Sequence, residues 1–195
     1  MPKRLTPLAL LLLVACGVQG SENIGAPPTA PATSPAPARA PGAPLVFDPP
    51  SDWTVETPTS SMRKAQYRLP RTAGDPEDAE CVVYFFGDMG GGGVEANVER
   101  WCAQFEQPDG RPSKDVLARS EREVAGMPVH EFRLSGTYVA ETAPGSGVRV
   151  NKPASAMLAA IVESDHGLYY VKLVGPEATV EKHAAGFRDF IGRVR

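Results

Sequence analysis

The sequence predicts an α+β fold: a mostly antiparallel sheet covered by two amphipathic helices. Three observations carry this reading. Several short runs either alternate apolar and polar residues or are apolar on both faces, the patterns of half-exposed and central strands. Turn signals separate the late runs by only a few residues, which pairs them as hairpins. Two segments repeat apolar residues at helical spacing along one stripe, so each can cover one face of a sheet.

Val46, Phe47 and Pro49-Pro50 lead into Trp53-Thr54-Val55, a short edge strand or cap. Over residues 62–69, Ala65, Tyr67 and Leu69 share one face while Lys64, Gln66 and Arg68 share the other. That is a half-exposed strand, closed by Pro70. The acidic stretch Gly74-Asp75-Pro76-Glu77-Asp78 is a loop, and residues 81–86 read as a central strand. A glycine run over 87–93, broken by Asp88 and Met89, precedes the clearest helix. Val94, Val98, Trp101, Cys102 and Phe105 form its stripe, and Pro108-Asp109-Gly110 ends it. Residues 115–124 fit a helix or a strand. The turn Ala125-Gly126-Met127-Pro128 and the alternation of His130, Phe132 and Leu134 favour two strands in a hairpin. Residues 157–162 and 168–174 are apolar strand-like runs joined by Ser164-Asp165-His166-Gly167, a second hairpin. Gly175-Pro176-Glu177 opens one final helix, with proline suited to the first helical position. Val180, Ala184, Phe187, Ile191 and Val194 form its stripe.

The chain starts differently. Lys3 and Arg4 precede an apolar run that ends at Ala15. Its apolar core is far shorter than the ~20 residues of a membrane-spanning helix. A basic head, a short apolar stretch and small residues before a cleavage point make a secretory signal. The tetrad Leu13-Val14-Ala15-Cys16 resembles the lipobox of bacterial lipoproteins. The resemblance implies that residues 1–15 are removed, that the Cys16 sulfur carries a diacylglycerol, and that its amine is acylated too. The bilayer is then a partner. One chain alone binds with a constant of order 10⁴ M⁻¹, while two or more hold firmly. Gly17 follows the cysteine. In enteric-like sorting a residue other than Asp there permits passage to the outer membrane. The alternative is an ordinary secretory signal that contains a cysteine.

Residues 25–44 are almost wholly Ala, Pro, Thr, Ser and Gly, with Arg39 the one charge. Such a segment has too little to bury to offset its ordering entropy. Residues 16–44 therefore read as the lipidated cysteine plus a tether, with a reach of roughly 25–75 Å for its residues 21–44. Residues 45–195 read as a single domain of ordinary size. Losing Lys3 and Arg4 makes the mature chain two charges more acidic than the −3 of the full chain. That disfavours nucleic acid, whose affinity rests on Lys and Arg, and also electrostatic docking on anionic lipid.

Cys81 opens the central strand and Cys102 sits on the helix that follows. An exported protein permits disulfides. The helix packing back along the strand could join the two, and the alternative is two separate buried thiols.

The layout of Trp53 near the start, a glycine-rich turn before an amphipathic helix, and a closing helix resembles the PsbP-like α/β/α sandwich superfamily. The stretches Met62-Arg63-Lys64-Ala65-Gln66-Tyr67 and Glu80-Cys81-Val82-Val83-Tyr84-Phe85-Phe86-Gly87 are similar to a group of uncharacterised bacterial proteins. The superfamily includes a photosystem extrinsic protein, a Ran-binding nuclear import factor and envelope lipoproteins of the DcrB and LpqN type. The resemblance covers about residues 45–195 and implies a non-catalytic binding or accessory domain. It brings no shared active-site signature, and fold alone does not fix function.

Local motifs for chemistry are sparse. Gly90, Gly91, Gly92 and Gly93 lie between a strand and a helix, where backbone N–H groups can hold an anion. The run lacks the lysine and hydroxyl of a phosphate loop and the G-x-G-x-x-G spacing, and Glu95 would repel phosphate. A flexible turn is the plainer reading. His130, His166 and His183 show no metal-ligand spacing. No G-x-S-x-G elbow surrounds Ser135, Ser146 or Ser155. The acidic loop lacks the ordered calcium pattern. Trp101 and Phe105 read as core, and Trp53, near an edge, as an exposed contact. The expectation is a lipid-anchored envelope protein without cofactor or metal, binding an envelope protein or a small ligand. Competing classes are an enzyme of unfamiliar type, marked by a deep pocket with convergent polar groups, and a spacer without an apolar patch.

Overall fold

In the computed structural model β1 (Thr54–Glu56), β2 (Arg63–Leu69) and β3 (Ala79–Phe85) form an antiparallel meander. Helix α1 (Val94–Cys102) then carries the chain across one face to the far edge, where β4 (Phe105–Glu106) pairs with the end of β6. A 3-10 turn, Ser113–Asp115, leads to β5 (Ala118–Val124), β6 (Met127–Tyr138), β7 (Lys152–Ser164) and β8 (Gly167–Pro176). These strands return inward until β8 pairs with β3. The order is β1-β2-β3-β8-β7-β6-β4, with β5 also on β6, and each described pairing is antiparallel. Helices α2 (Glu177–Lys182) and α3 (Ala184–Gly192) follow. This is the α+β class expected. The structure describes residues 43–87, 90–142 and 145–195. The signal, Cys16 and the tether through residue 42 lie outside the described residues, as do Asp88 and Met89 of the glycine run.

Strand alternation sorts the core onto two faces. Tyr67, Leu69, Cys81, Val83, Val171 and Leu173 turn toward α2 and α3. Phe132, Leu134, Met157, Ala159, Ile161 and Tyr170 turn toward α1. The helices answer with their stripes: Val98, Trp101 and Cys102 on one side, Val180, Phe187, Phe190 and Ile191 on the other. The sheet is thus sandwiched. The two ends of the domain meet, because Val46 N–H donates to the Arg195 carbonyl at 2.8 Å and Asp48 pairs with Arg195. The β5–β6 turn has positive φ at both Ala125 (50°) and Gly126 (79°), the type I′ geometry that matches strand twist.

Four expectations need correction. The first helix stops at Cys102, and Phe105 belongs to β4, where it pairs with Tyr138. Edge pairing there outweighs helical spacing. The last helix is two helices, broken at His183. Buried His183 donates from Nε2 to the Pro70 carbonyl at 3.0 Å and meets Asp52 at 3.5 Å, contacts that anchor the break. Pro176 caps α2 rather than opening its first turn. Trp53 is not an exposed contact. It is 5% exposed and packs against Tyr67 and Phe190, with ring centres 5.9 and 5.1 Å away.

The acidic loop is tied down. The Thr179 hydroxyl, fully buried, donates to Asp75 at 2.5 Å and accepts from Thr72 N–H at 2.9 Å. Glu77 meets Lys152 at 2.6 Å and Asp78 meets Arg68 at 3.0 Å. These carboxylates hold loop to sheet and helix.

Candidate functional site

The face under α1 is only half covered. Helix α1 packs over β6, β7 and β8, while toward β2 and β3 the same face carries Gln66, Arg68, Glu80 and Tyr84. At the boundary β8 places Lys172 between Val82 of β3 and Ala159 of β7. A lysine in mid-sheet has few polar neighbours. Its ammonium donates to Gln104 Oε1 and lies 5.3 Å from the centre of the Tyr138 ring. Burial pushes its pKa down to about 8, and the charge of Glu80 pulls weakly the other way. Glu80 is itself engaged by Arg63 at 3.0 Å and Gln66 at 2.9 Å. Among the described residues, no carboxylate lies within ion-pair distance of Lys172.

A cleft of about 160 Å³ opens beside this ammonium, walled by Tyr84, Phe86, Trp101 and Tyr170, with Gln104 alongside. Tyr84 and Phe86 stack with ring centres 6.1 Å apart and planes within 6°. Burial raises the Tyr84 pKa, and raises that of Tyr138 to about 12. Both phenols therefore stay protonated at neutral pH.

The glycine run forms one end of this region. Its carbonyls turn toward donors: Asn97 Nδ2 reaches the Gly91 and Gly93 oxygens at 2.8 and 2.9 Å, Arg100 reaches Gly91 O at 2.9 Å, and the Tyr170 hydroxyl donates to Gly92 O at 2.5 Å. A loop that offers acceptors inward has the opposite polarity to an anion cradle. Close packing explains the small residues. A Cβ on Gly90 would sit 2.3 Å from Phe86 Cβ, and one on Gly91 2.7 Å from Tyr170. Gly93 caps α1 without a side-chain hydrogen bond, so Asn97, 4% exposed, supplies the polar closure from inside the helix. Asn97→Ala removes the side-chain bonds to the Gly91 and Gly93 oxygens, which keep donors from Arg100 and from the residue-97 backbone N–H, and is expected to cost about 1 kcal/mol. Chemical denaturation would measure that loss, and hydrogen exchange would show α1 and the loop losing protection together.

Cys81 and Cys102 are free thiols on opposite faces of the sheet, Cys81 under α3 and Cys102 on α1. The sheet stands between them, so the strand-to-helix pairing does not form. Burial raises both thiol pKa values, far more for Cys81. The histidines remain apart. His130 lies between Glu121 at 3.0 Å and Glu163 at 2.9 Å. Burial opposes its charge, yet the two carboxylates outweigh that and raise its pKa.

Lys172, Gln104 and Tyr138 were missed by sequence reasoning. One signal was present: Lys172 is the single charge within Leu168-Tyr169-Tyr170-Val171-Lys172-Leu173-Val174, a run apolar on both faces. Gln104 and Tyr138 had none, since only α1 and the β4–β6 pairing bring them there.

The fold and site define an α+β sheet domain with a small cleft floored by one ammonium. No protein-family model matches the chain, and no curated protein matches it. Solved structures resemble it distantly, two of them as follows. One is PA94, a protein of unknown function from Pseudomonas aeruginosa, with 10% identity, covering 72% of this chain and 94% of that one at a TM-score of 0.44. The other is LpqN, involved in cell envelope biogenesis of Mycobacterium tuberculosis, with 12% identity, covering 77% of this chain and 81% of that one at 0.43.

Proposed function

We propose that this chain is an exported, lipid-anchored envelope protein whose single domain is a non-catalytic binding module. The observation that carries the first half is the basic start, short apolar run and Leu13-Val14-Ala15-Cys16 tetrad, followed by a Pro/Ala-rich stretch up to the sheet domain. Among the described residues no helix is long and apolar enough to cross a membrane. Acyl chains on Cys16 supply the attachment in this reading, at a membrane's periplasmic face or cell surface, and at the outer membrane where two exist. The aromatic cleft at Lys172 supports the binding half. Its lysine donates to an amide oxygen, that of Gln104, and among the described residues no carboxylate lies within ion-pair distance, so the ammonium can hold a ligand's negative charge.

Metabolic labelling with an alkynyl fatty acid tests the anchor. The wild-type chain is expected to carry the label and partition with membranes, and Cys16→Ser to lose both. A wild-type product without acyl mass, or one retaining its first fifteen residues, would overturn the reading.

A further inference from the structure

We propose that the cleft at Lys172 binds a small monocarboxylate, its carboxyl group on the Lys172 ammonium and its short apolar body between the rings of Tyr84, Phe86 and Trp101. This rests on the binding reading of the same site.

Charge decides the sign of the ligand. An ammonium has three N–H donors and accepts nothing. Among the described residues Lys172 has one protein acceptor, Gln104 Oε1, and a ring face at Tyr138. A charge taken out of water is costly unless it is paired and hydrogen-bonded. Glu80, the nearest influence of opposite sign, is bound by Arg63 and Gln66. The open side of the ammonium faces the cleft, so the missing acceptors belong to whatever enters it.

Geometry then separates carboxylate from phosphate. Phosphate sites gather backbone N–H groups and guanidinium forks around several oxygens. Here the adjacent glycine loop turns carbonyls inward, and Arg100 is engaged by Gly91 O and Asn97 Oδ1. Arg100 and Asn97 also line the cleft, but they bond to each other and to the glycine-loop carbonyls, so Lys172 is the cation with donors to spare and balances one negative charge. Tyr84, Phe86, Trp101 and Tyr170 supply the aromatic wall, which suits a short hydrocarbon body. Size sets the rest. About 160 Å³ matches roughly five water volumes at about 30 Å³ each, which limits the ligand to an acid of about two to four carbons.

The test is calorimetric titration of the native mature chain with propionate, acetamide and inorganic phosphate, with tryptophan fluorescence, to which Trp101 beside the cleft contributes, as a second readout. Propionate is expected to bind saturably in the millimolar range, and acetamide and phosphate not to bind. Lys172→Met, which keeps the side chain's length, is expected to weaken propionate by about tenfold or more. Gln104→Glu places a carboxylate of the protein's own beside the ammonium and is expected to abolish binding, which covers the case of a misfolded lysine variant. Binding should also fade as pH rises past the lysine's titration. Propionate bound equally by Lys172→Met, or not bound at all, overturns the proposal. Lysine-dependent binding of phosphate in place of propionate overturns the carboxylate while leaving the binding module standing. No anion bound by folded wild type overturns both.

Discussion

Phe190→Ala is expected to destabilise the domain by about 3–5 kcal/mol, the usual cost of removing a fully buried phenyl ring. Phe190 has no exposed surface and sits on α3 at the centre of an aromatic group. Ring centres of Phe47, Trp53 and Tyr67 lie 5.6, 5.1 and 5.4 Å from its own. Those neighbours come from the segment before β1, from its approach to the strand, and from β2. One ring thus joins the N-terminal lead, the sheet and the last helix. The three aromatic neighbours are large and cannot collapse into the hole without moving α3. A domain of this size has a total stability of about 5–15 kcal/mol, so the variant should be near its folding limit. Urea denaturation followed by the fluorescence of Trp53 and Trp101 measures it. A loss below about 1 kcal/mol would contradict the packing of α3 described above.

Lys172→Met is expected to act in the other direction. The ammonium titrates near 8 in the folded domain against an ordinary 10.5. Between these values the unfolded chain holds more protons than the folded one, so unfolding free energy rises with pH. Below about pH 8 both states are protonated, and the burden on the fold is at its full size, about 3 kcal/mol. The wild type should therefore gain stability from about pH 8 to 10.5. Lys172→Met should lack that gain and exceed the wild type at neutral pH by about 1–4 kcal/mol. Paired melting curves at neutral and alkaline pH isolate the effect, because the other titrating groups are common to both proteins. A variant less stable than the wild type at neutral pH would mean that the ammonium is adequately solvated where it lies. A stabilised variant would mark Lys172 as a residue held at the expense of the fold, the usual signature of a functional site.

Much of the sheet was legible because alternation is a local pattern. Ala65, Tyr67 and Leu69 share a face in the chain and in the fold, and the apolar run 81–86 read as central falls on β3, which pairs on both sides and buries Cys81, Val82 and Val83. The hairpins at Ala125-Gly126 and around Asp165-His166 were legible for the same reason: turn chemistry lies within a few residues. Errors fell where a distant partner decides. Phe105 obeys helical spacing but yields to Tyr138 on β6. The break between α2 and α3 falls at His183, whose buried side chain reaches the Pro70 carbonyl, more than a hundred residues earlier in the chain. Trp53 looked peripheral because β1 is an edge strand, yet α3 folds over it. Cys81 and Cys102 are close in sequence, but the parity of one strand sends Cys81 to the face away from α1.

From the amino-acid order alone came the α+β class, most strands, the stripes of the helices, and the expectation of an exported and tethered protein, because each depends on periodicity or composition within a short window. Tertiary structure alone decided which side chains share a face and a cleft. Lys172 meets Gln104 and Tyr138 only after α1 has crossed the sheet and β8 has slotted in beside β3, and burial there turns an ordinary lysine into an under-partnered cation.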